Sequence, residues 1–193
     1  MTGGGEGTMG QLGFFVDTTR CINCKTCEIA CKDQNGAALG QKLRRVRTFE
    51  GGEYPRPFVC NLSMACNHCE RPRCAEACPT GAYAKRERDG IVVHDPEKCI
   101  GCQYCIWACP FAAPQYDPEA GRVMKCNLCV ERIDAGEQPA CVEACPTRAI
   151  EVGRLDEVER RPGATMAIRN LPPPEESGPS ARYRVRGEMR LDG

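Results

Sequence analysis

The sequence predicts a small α+β fold of short strands and short helices, in which one structural unit is used twice. Three observations predict it. Seventeen of the 193 residues are cysteine and only 6% are aromatic. A chain with that cysteine level and so few large apolar rings is held together by something other than an aliphatic core. Sixteen of the cysteines fall into four groups: Cys21, Cys24, Cys27, Cys31; Cys66, Cys69, Cys74, Cys78; Cys99, Cys102, Cys105, Cys109; and Cys126, Cys129, Cys141, Cys145. The groups also repeat in pairs, with the first kind and the second kind alternating twice. "FVDTTRCINCKTCEIAC" (15–31) matches "VVHDPEKCIGCQYCIWAC" (92–109) at the Asp, the basic residue before the first cysteine, the Ile after it, an Ala and all four cysteines. "CAEACPTGAY" (74–83) matches "CVEACPTRAI" (141–150) more closely still.

The elements follow in order. Residues 1–12 are Gly-rich and polar, bury too little to order themselves, and are expected to be flexible. "GFFVD" (13–17) and "AIEVG" (149–153) read as strands that pair. Short helices are expected after the third cysteine of the first and third groups. In "FVCNLSM" (58–64) Phe58, Cys60, Leu62 and Met64 alternate onto one strand face, so Cys60 reads as a buried small hydrophobe. "AYAKRERDGIVV" (82–93) reads as a hairpin with a primed turn at Asp89-Gly90. After residue 154 the composition turns Pro- and Ser-rich, and 154–193 is expected to be an extended tail, near polyproline II at its triple proline.

Bulk properties exclude several classes. Lys plus Arg and Asp plus Glu both number 26, so the chain lacks the basic excess of a nucleic-acid binder. No apolar run approaches the length that spans a bilayer. "MTGGGEGTMGQLG" has neither a basic nor an apolar stretch of the kind that opens a signal peptide. Thiols without an export signal are expected in a reducing compartment, and an odd cysteine count further disfavours a disulfide framework. No Ser/His/Asp set, carboxylate pair or phosphate loop stands out, so no catalytic residue is assigned.

"CIGCQYCIWACP" (99–110) spaces its cysteines by three, three and four and follows them with proline. That is the C-x2-C-x2-C-x3-C-P run of bacterial two-cluster [4Fe-4S] ferredoxins. A cubane presents irons at tetrahedral corners. Three thiolates of one short loop reach three of them, and the fourth iron takes its cysteine from elsewhere. The fourth cysteine of the run leaves on a helix, and Pro79, Pro110 or Pro146 prevents it from folding back; Lys32 stands there after Cys31. Structural zinc favours two C-x2-C knuckles about 15–20 residues apart. The second and fourth groups alone permit that reading, but the first and third place a third cysteine that zinc does not require. Sixteen thiolates at four per cluster imply four [4Fe-4S] clusters, and no group lacks a ligand.

"GFFVDTTRCINCKTCEIACKD", "CNHCERPRCAEACPTGAYAKRERDGIVV", "CIGCQYCIWACPFAAPQY" and "KCNLCVERIDAGEQPACVEACPTRAI" together resemble the iron–sulfur subunit of dimethyl sulfoxide reductase and its relatives in the molybdopterin oxidoreductase family. The resemblance covers roughly residues 12–155 and is specific to the type of subunit, not to the substrate. It implies a ferredoxin-like fold of two nested dicluster units, 13–57 with 119–153 and an inserted 58–118. It implies four ligand sets: Cys21, Cys24, Cys27 and Cys145; Cys31, Cys126, Cys129 and Cys141; Cys66, Cys69, Cys74 and Cys109; and Cys78, Cys99, Cys102 and Cys105. It further implies a non-catalytic electron-transfer role, linking a molybdopterin catalytic subunit to a membrane quinone-linked anchor or cytochrome. Such a subunit is assembled in the cytoplasm and is membrane-associated through its partners, and its tail lies on a partner. A free-standing polyferredoxin and a zinc-stapled interaction module are the alternatives. Among the remaining residues, Trp107 is expected in the core and His94 on a strand. His68 either bonds a cluster sulfur or is an ordinary loop residue. "LRRVR" (43–47) and "KRER" (85–88) face either a partner or solvent.

Overall fold

The computed structural model describes residues 10–191. In chain order the elements are β1 (Leu12–Asp17), α1 (Thr26–Gln34), β2 (Arg45–Gly51), β3 (Phe58–Met64), α2 (Arg73–Glu76), β4 (Tyr83–Lys85), β5 (Val92–His94), α3 (Tyr104–Ala108), β6 (Gln115–Asp117), β7 (Arg122–Met124), α4 (Val130–Asp134), α5 (Ala140–Glu143), β8 (Ile150–Arg154), α6 (Leu155–Glu159), β9 (Ala164–Thr165) and β10 (Arg182–Arg184). Two 3-10 turns, Pro174–Glu176 and Gly187–Met189, flank β10.

β1 is buried at every residue because it is an inner strand of a four-stranded sheet, order β8-β1-β10-β9. It pairs antiparallel with β8, from Leu12 opposite Arg154 to Val16 opposite Ile150. The pairing expected of 13–17 with 149–153 is present. It begins at Leu12, whose amide donates to Asp89 O at 2.8 Å. Gln11 is tied as well, its carbonyl accepting from Leu155 N at 2.7 Å. The flexibility expected of residues 1–12 therefore does not extend to Gln11 and Leu12, and residues 1–9 lie outside the described residues.

The extended tail expected over 154–193 is corrected. α6 follows β8 directly, and β10 runs parallel to β1, with Phe15 opposite Arg182. Met166, Ile168, Ala181, Tyr183 and Met189 are buried in the main core. The physical reason is in the residues: Ala181, Tyr183 and Val185 alternate with Arg182, Arg184 and Arg186, a period-two strand that the neighbouring prolines mask.

The remaining strands form three hairpins. β2 pairs with β3, and Cys60, Leu62 and Met64 face inward while Val59 is exposed, as the alternation requires. β4 pairs with β5, but the primed two-residue turn is not formed. Arg86 N donates to Ile91 O at 2.9 Å, leaving a four-residue loop. In it only Gly90 is left-handed, at φ +68°, and the buried Asp89 carboxylate accepts from Ile91 N at 3.1 Å. That carboxylate pairs with Arg86 and Arg88, which settles part of "KRER" as a local ion-pair network. β6 and β7 form the third hairpin.

The helices pack in two pairs, α1 on α5 and α2 on α3. One core cluster runs from Leu12, Phe14 and Val16 through Leu62 and Met64 to Phe111 and Ala113. A second, smaller one joins Tyr83, Val92 and Val123 to Cys74 and Cys105. Much of both clusters is cysteine, so the expected scarcity of aliphatic core is met by thiols. Among the described residues no helix is long and apolar enough to cross a membrane.

Candidate functional site

Each cysteine group begins with a loop bent by a left-handed residue just before its second cysteine. These are Asn23 at φ +59°, His68 at +44°, Gly101 at +70° and Leu128 at +59°. Lys25 and Gln103 are left-handed too and serve as the N-caps of α1 and α3. Residues other than glycine adopt this region at a cost of about 1 kcal/mol or more, and such outliers cluster where a loop must wrap a ligand. Gly101 has a second constraint, since a Cβ there would lie 2.4 Å from Gly121 O.

The curled loops bring cysteines of different groups together. Cys21, Cys24, Cys27 and Cys145 rim one cavity. Cys66, Cys69, Cys74 and Cys109 rim a second. Cys78, Cys99, Cys102 and Cys105 rim a third. Cys31, Cys126, Cys129 and Cys141 do not share one cavity, but Cys31 is within electrostatic reach of Cys141 and Cys129, and Cys126 within reach of Cys31 and Cys141. All seventeen cysteines are free thiols. Among the described residues no three His, Cys, Asp or Glu side chains are placed to hold a single metal ion. Thiols that stand round a space rather than converge on a point suit a polynuclear cluster. A tetrahedral zinc would need four sulfurs at about 2.3 Å from one centre.

The sulfurs are met by donors in a repeated pattern. Ala82 N, Ala113 N and Ala149 N point at Cys78, Cys109 and Cys145 Sγ, four residues back, at 3.3, 3.5 and 3.3 Å. In all three groups proline follows the cysteine and turns the chain so that the later amide comes back to it. Cys31, followed by Lys32, stays inside α1, where Asn35 N is spent on Cys31 O. Its sulfur instead lies 3.8 Å from Asn35 Nδ2, a side-chain donor at the same spacing. Thr80 and Thr147 hydroxyls add contacts of 3.5 and 3.6 Å to Cys78 and Cys145. Burial pushes both thiols up, but these hydrogen bonds outweigh it and bring them below the ordinary thiol value. Elsewhere burial wins: it pushes Cys31 and Cys74 up to about 12 and Cys69 up to about 11.

Reasoning from sequence missed several neighbours of the sulfurs. Arg44, inside "LRRVR", is 1% exposed, with Nη1 3.1 Å from Ser63 Oγ. Ser63 Oγ is in turn 3.5 Å from Cys27 Sγ. Lys125 is buried beside the Cys66 cavity, its ammonium donating to the Val92 and Cys126 carbonyls. Ser177, from the supposed tail, is fully buried and donates to Cys69 Sγ at 3.3 Å. His68 is fully buried: its Nδ1 accepts from Val92 N at 3.1 Å, and its Nε2 has no partner among the described residues. Burial holds this imidazole well below the ordinary histidine value. Trp107, expected in the core, is 79% exposed on α3 beside Tyr104. A helix of five residues with Cys105 turned inward leaves its outer face to solvent. His94 sits at the end of β5 as expected, against the Tyr83 ring.

The iron–sulfur component of the anaerobic dimethyl sulfoxide reductase of Escherichia coli (strain K12) is 45% identical over 170 residues, covering 84% of this protein and 82% of that one. The protein belongs to the family of dimethyl sulfoxide reductase iron–sulfur subunits. The corresponding dimethyl sulfoxide reductase component of Haemophilus influenzae is 40% identical over 194 residues, 96% of this protein and 94% of that one. A sulfite dehydrogenase subunit of Allochromatium vinosum is 35% identical over 209 residues, 95% and 86% of the two proteins. The 4Fe-4S dicluster domain family matches residues 58–155, which include the second, third and fourth cysteine groups in full. Membership of this family makes the curled cysteine loops [4Fe-4S] sites, and the all-thiol donor set round each cavity fits that group.

Proposed function

We propose that this iron–sulfur subunit holds four [4Fe-4S] clusters in the ligand sets given above and passes electrons from one partner subunit to another without catalysing a reaction itself. Bound clusters supply reversible one-electron chemistry. The observation that carries the reading is that three cavities are each rimmed by four cysteines drawn from two different groups. The packing of α1 on α5 and of α2 on α3 supports the nested units 13–57 with 119–153 and 58–118, since each pair joins helices of the groups that share ligands.

The chain's own residues put the four sets in a row. Helix α1 carries Cys27 into the first set and Cys31, one turn on, into the second. Cys126 of the second set is within electrostatic reach of Cys66 of the third. Cys74 belongs to the third set and Cys78, four residues on, to the fourth. Burial of the inner thiols excludes water, and the ends differ: Cys24 of the first set is exposed. Exposed apolar side chains stand at both ends, Ile22 and Ile29 beside the first set and Ile100, Tyr104 and Trp107 beside the fourth. These are the faces for a molybdopterin-containing catalytic subunit and for a membrane anchor or cytochrome, through which the subunit is membrane-associated. The test is metal analysis of anaerobically purified protein. Close to sixteen irons and sixteen acid-labile sulfides per chain are expected, from sixteen grouped cysteines at four per cluster. Stoichiometric zinc and a colourless sample would refute the reading.

A further inference from the structure

Arg44 lies just before β2 and is buried to 1% exposure, its guanidinium 4.4 Å from the Phe14 ring centroid. Nη1 reaches Ser63 Oγ, but Nε and Nη2 are buried with no partner among the described residues. The charges nearest to it are cysteines: Cys141, Cys126, Cys27 and Cys31. Cys27 belongs to the first ligand set, and the other three belong to the second.

An arginine stays protonated at any pH a protein meets. An uncompensated charge in the interior costs more than the few kcal/mol by which a domain is stable. Two orphaned donors on the same group add to that cost. The Phe14 ring face offsets only part of it. The protein supplies no carboxylate here, so the compensating negative charge comes from the sulfurs on either side.

We propose that Arg44 is a positioning residue shared by two neighbouring clusters: Nε and Nη2 donate to sulfur atoms of the first and second sites, and the fixed charge raises the reduction potentials of both. The proposal rests on the cluster reading above. Its sign follows from Coulomb's law, because each cluster gains one negative charge on reduction and a nearby cation favours the more negative state. Because the guanidinium does not titrate, the effect is the same across the working pH range.

The experiment is an EPR-monitored redox titration of the iron-loaded full-length chain and of its variants. Arg44→Met should lower the midpoint potentials of two of the four clusters, at every pH, and leave the other two in place. Arg44→Lys, which keeps the charge, should fall less than Arg44→Met in the same two. Full iron content with all four potentials unchanged in Arg44→Met would overturn the proposal, as would an equal shift in all four. If Arg44→Met loads poorly, half the iron should be lost and Arg44→Lys should restore it; loss that Arg44→Lys does not restore assigns the residue to packing and also overturns the proposal. Wild-type chain that carries no iron would instead remove the cluster reading itself.

Discussion

Ser177→Ala tests whether the C-terminal segment tunes a cluster site or merely covers it. Ser177 is fully buried, and its hydroxyl donates to Cys69 Sγ at 3.3 Å. Removing the oxygen has two separable effects. The fold loses one buried hydrogen bond and gains a void of one oxygen, about 1 kcal/mol in all. For about 190 residues that lowers Tm by roughly 2–4 °C. The cluster in the third set loses a donor that favours its more negative state. A hydrogen bond to a charged acceptor is worth about 2 kcal/mol, and only the difference between oxidation states counts, so about 90 mV is a ceiling for a one-electron couple. A fall of a few tens of millivolts in a single cluster is expected. The assay is the same redox titration, with Ser180→Ala as control. Ser180 is equally buried and donates at 3.0 Å to His68 O, not to sulfur. Both variants should lose similar stability, and only Ser177→Ala should shift a potential. Equal shifts in the two variants, or none in either, would refute the reasoning.

Other expectations follow from the same geometry. Cys60→Ala deletes one buried atom on the inner face of β3 and should keep full iron content at a cost of about 1 kcal/mol in thermal stability, whereas Cys105→Ala should lose or alter one cluster in a matched metal assay. Cys145→Ser should damage the site that holds Cys21, Cys24 and Cys27, more than a hundred residues away; spectroscopy that showed damage confined to the Cys126 and Cys129 site would contradict the ligand sets. Cluster loading displaces thiol protons, and burial holds Cys31 and Cys74 near 12 and Cys69 near 11 in the iron-free chain, so visible-absorbance reconstitution should improve as pH rises from 7 to 9. The sign for the iron-free fold is the reverse. Thiols raised above their unfolded value contribute stability that is intact below about 9 and is lost as pH climbs towards 12.

Features that depend on spacing along the chain were legible in the sequence. The four cysteine groups, the inward face of Cys60, Leu62 and Met64, and the pairing of the strands around residues 13–17 and 149–153 all follow from local period or repeat. What escaped depends on where a segment lands. "LRRVR" reads as a basic run, and nothing local marks Arg44 for the interior while Arg45 and Arg47 point outward. Trp107 carries the largest apolar ring in the chain, yet it rides a helix too short to bury both faces. The alternation of Ala181, Tyr183 and Val185 was present but was overshadowed by the Pro-rich stretch before it. The primed turn at Asp89-Gly90 gave way because the Asp89 carboxylate is used inside, capping Ile91 N and pairing with Arg86. The contact of Ser177 with Cys69 joins positions 108 residues apart, a distance at which no local pattern carries information.

The parallel pairing of β1 with β10 imposes a schedule on biosynthesis. β1 leaves the ribosome ahead of every cysteine group, and the neighbour it waits for is made after all of them, so the four-stranded sheet closes late. Over that interval the loop of Cys66 and Cys69 lacks its cover, because Ser177, Gly178 and Ser180 bond to Cys69, Glu70 and Asn67 only after residue 180 has been added. The nascent chain is thus open at this cavity while all sixteen grouped cysteines are already present. The stretch translated after them closes the door behind whatever has been delivered there.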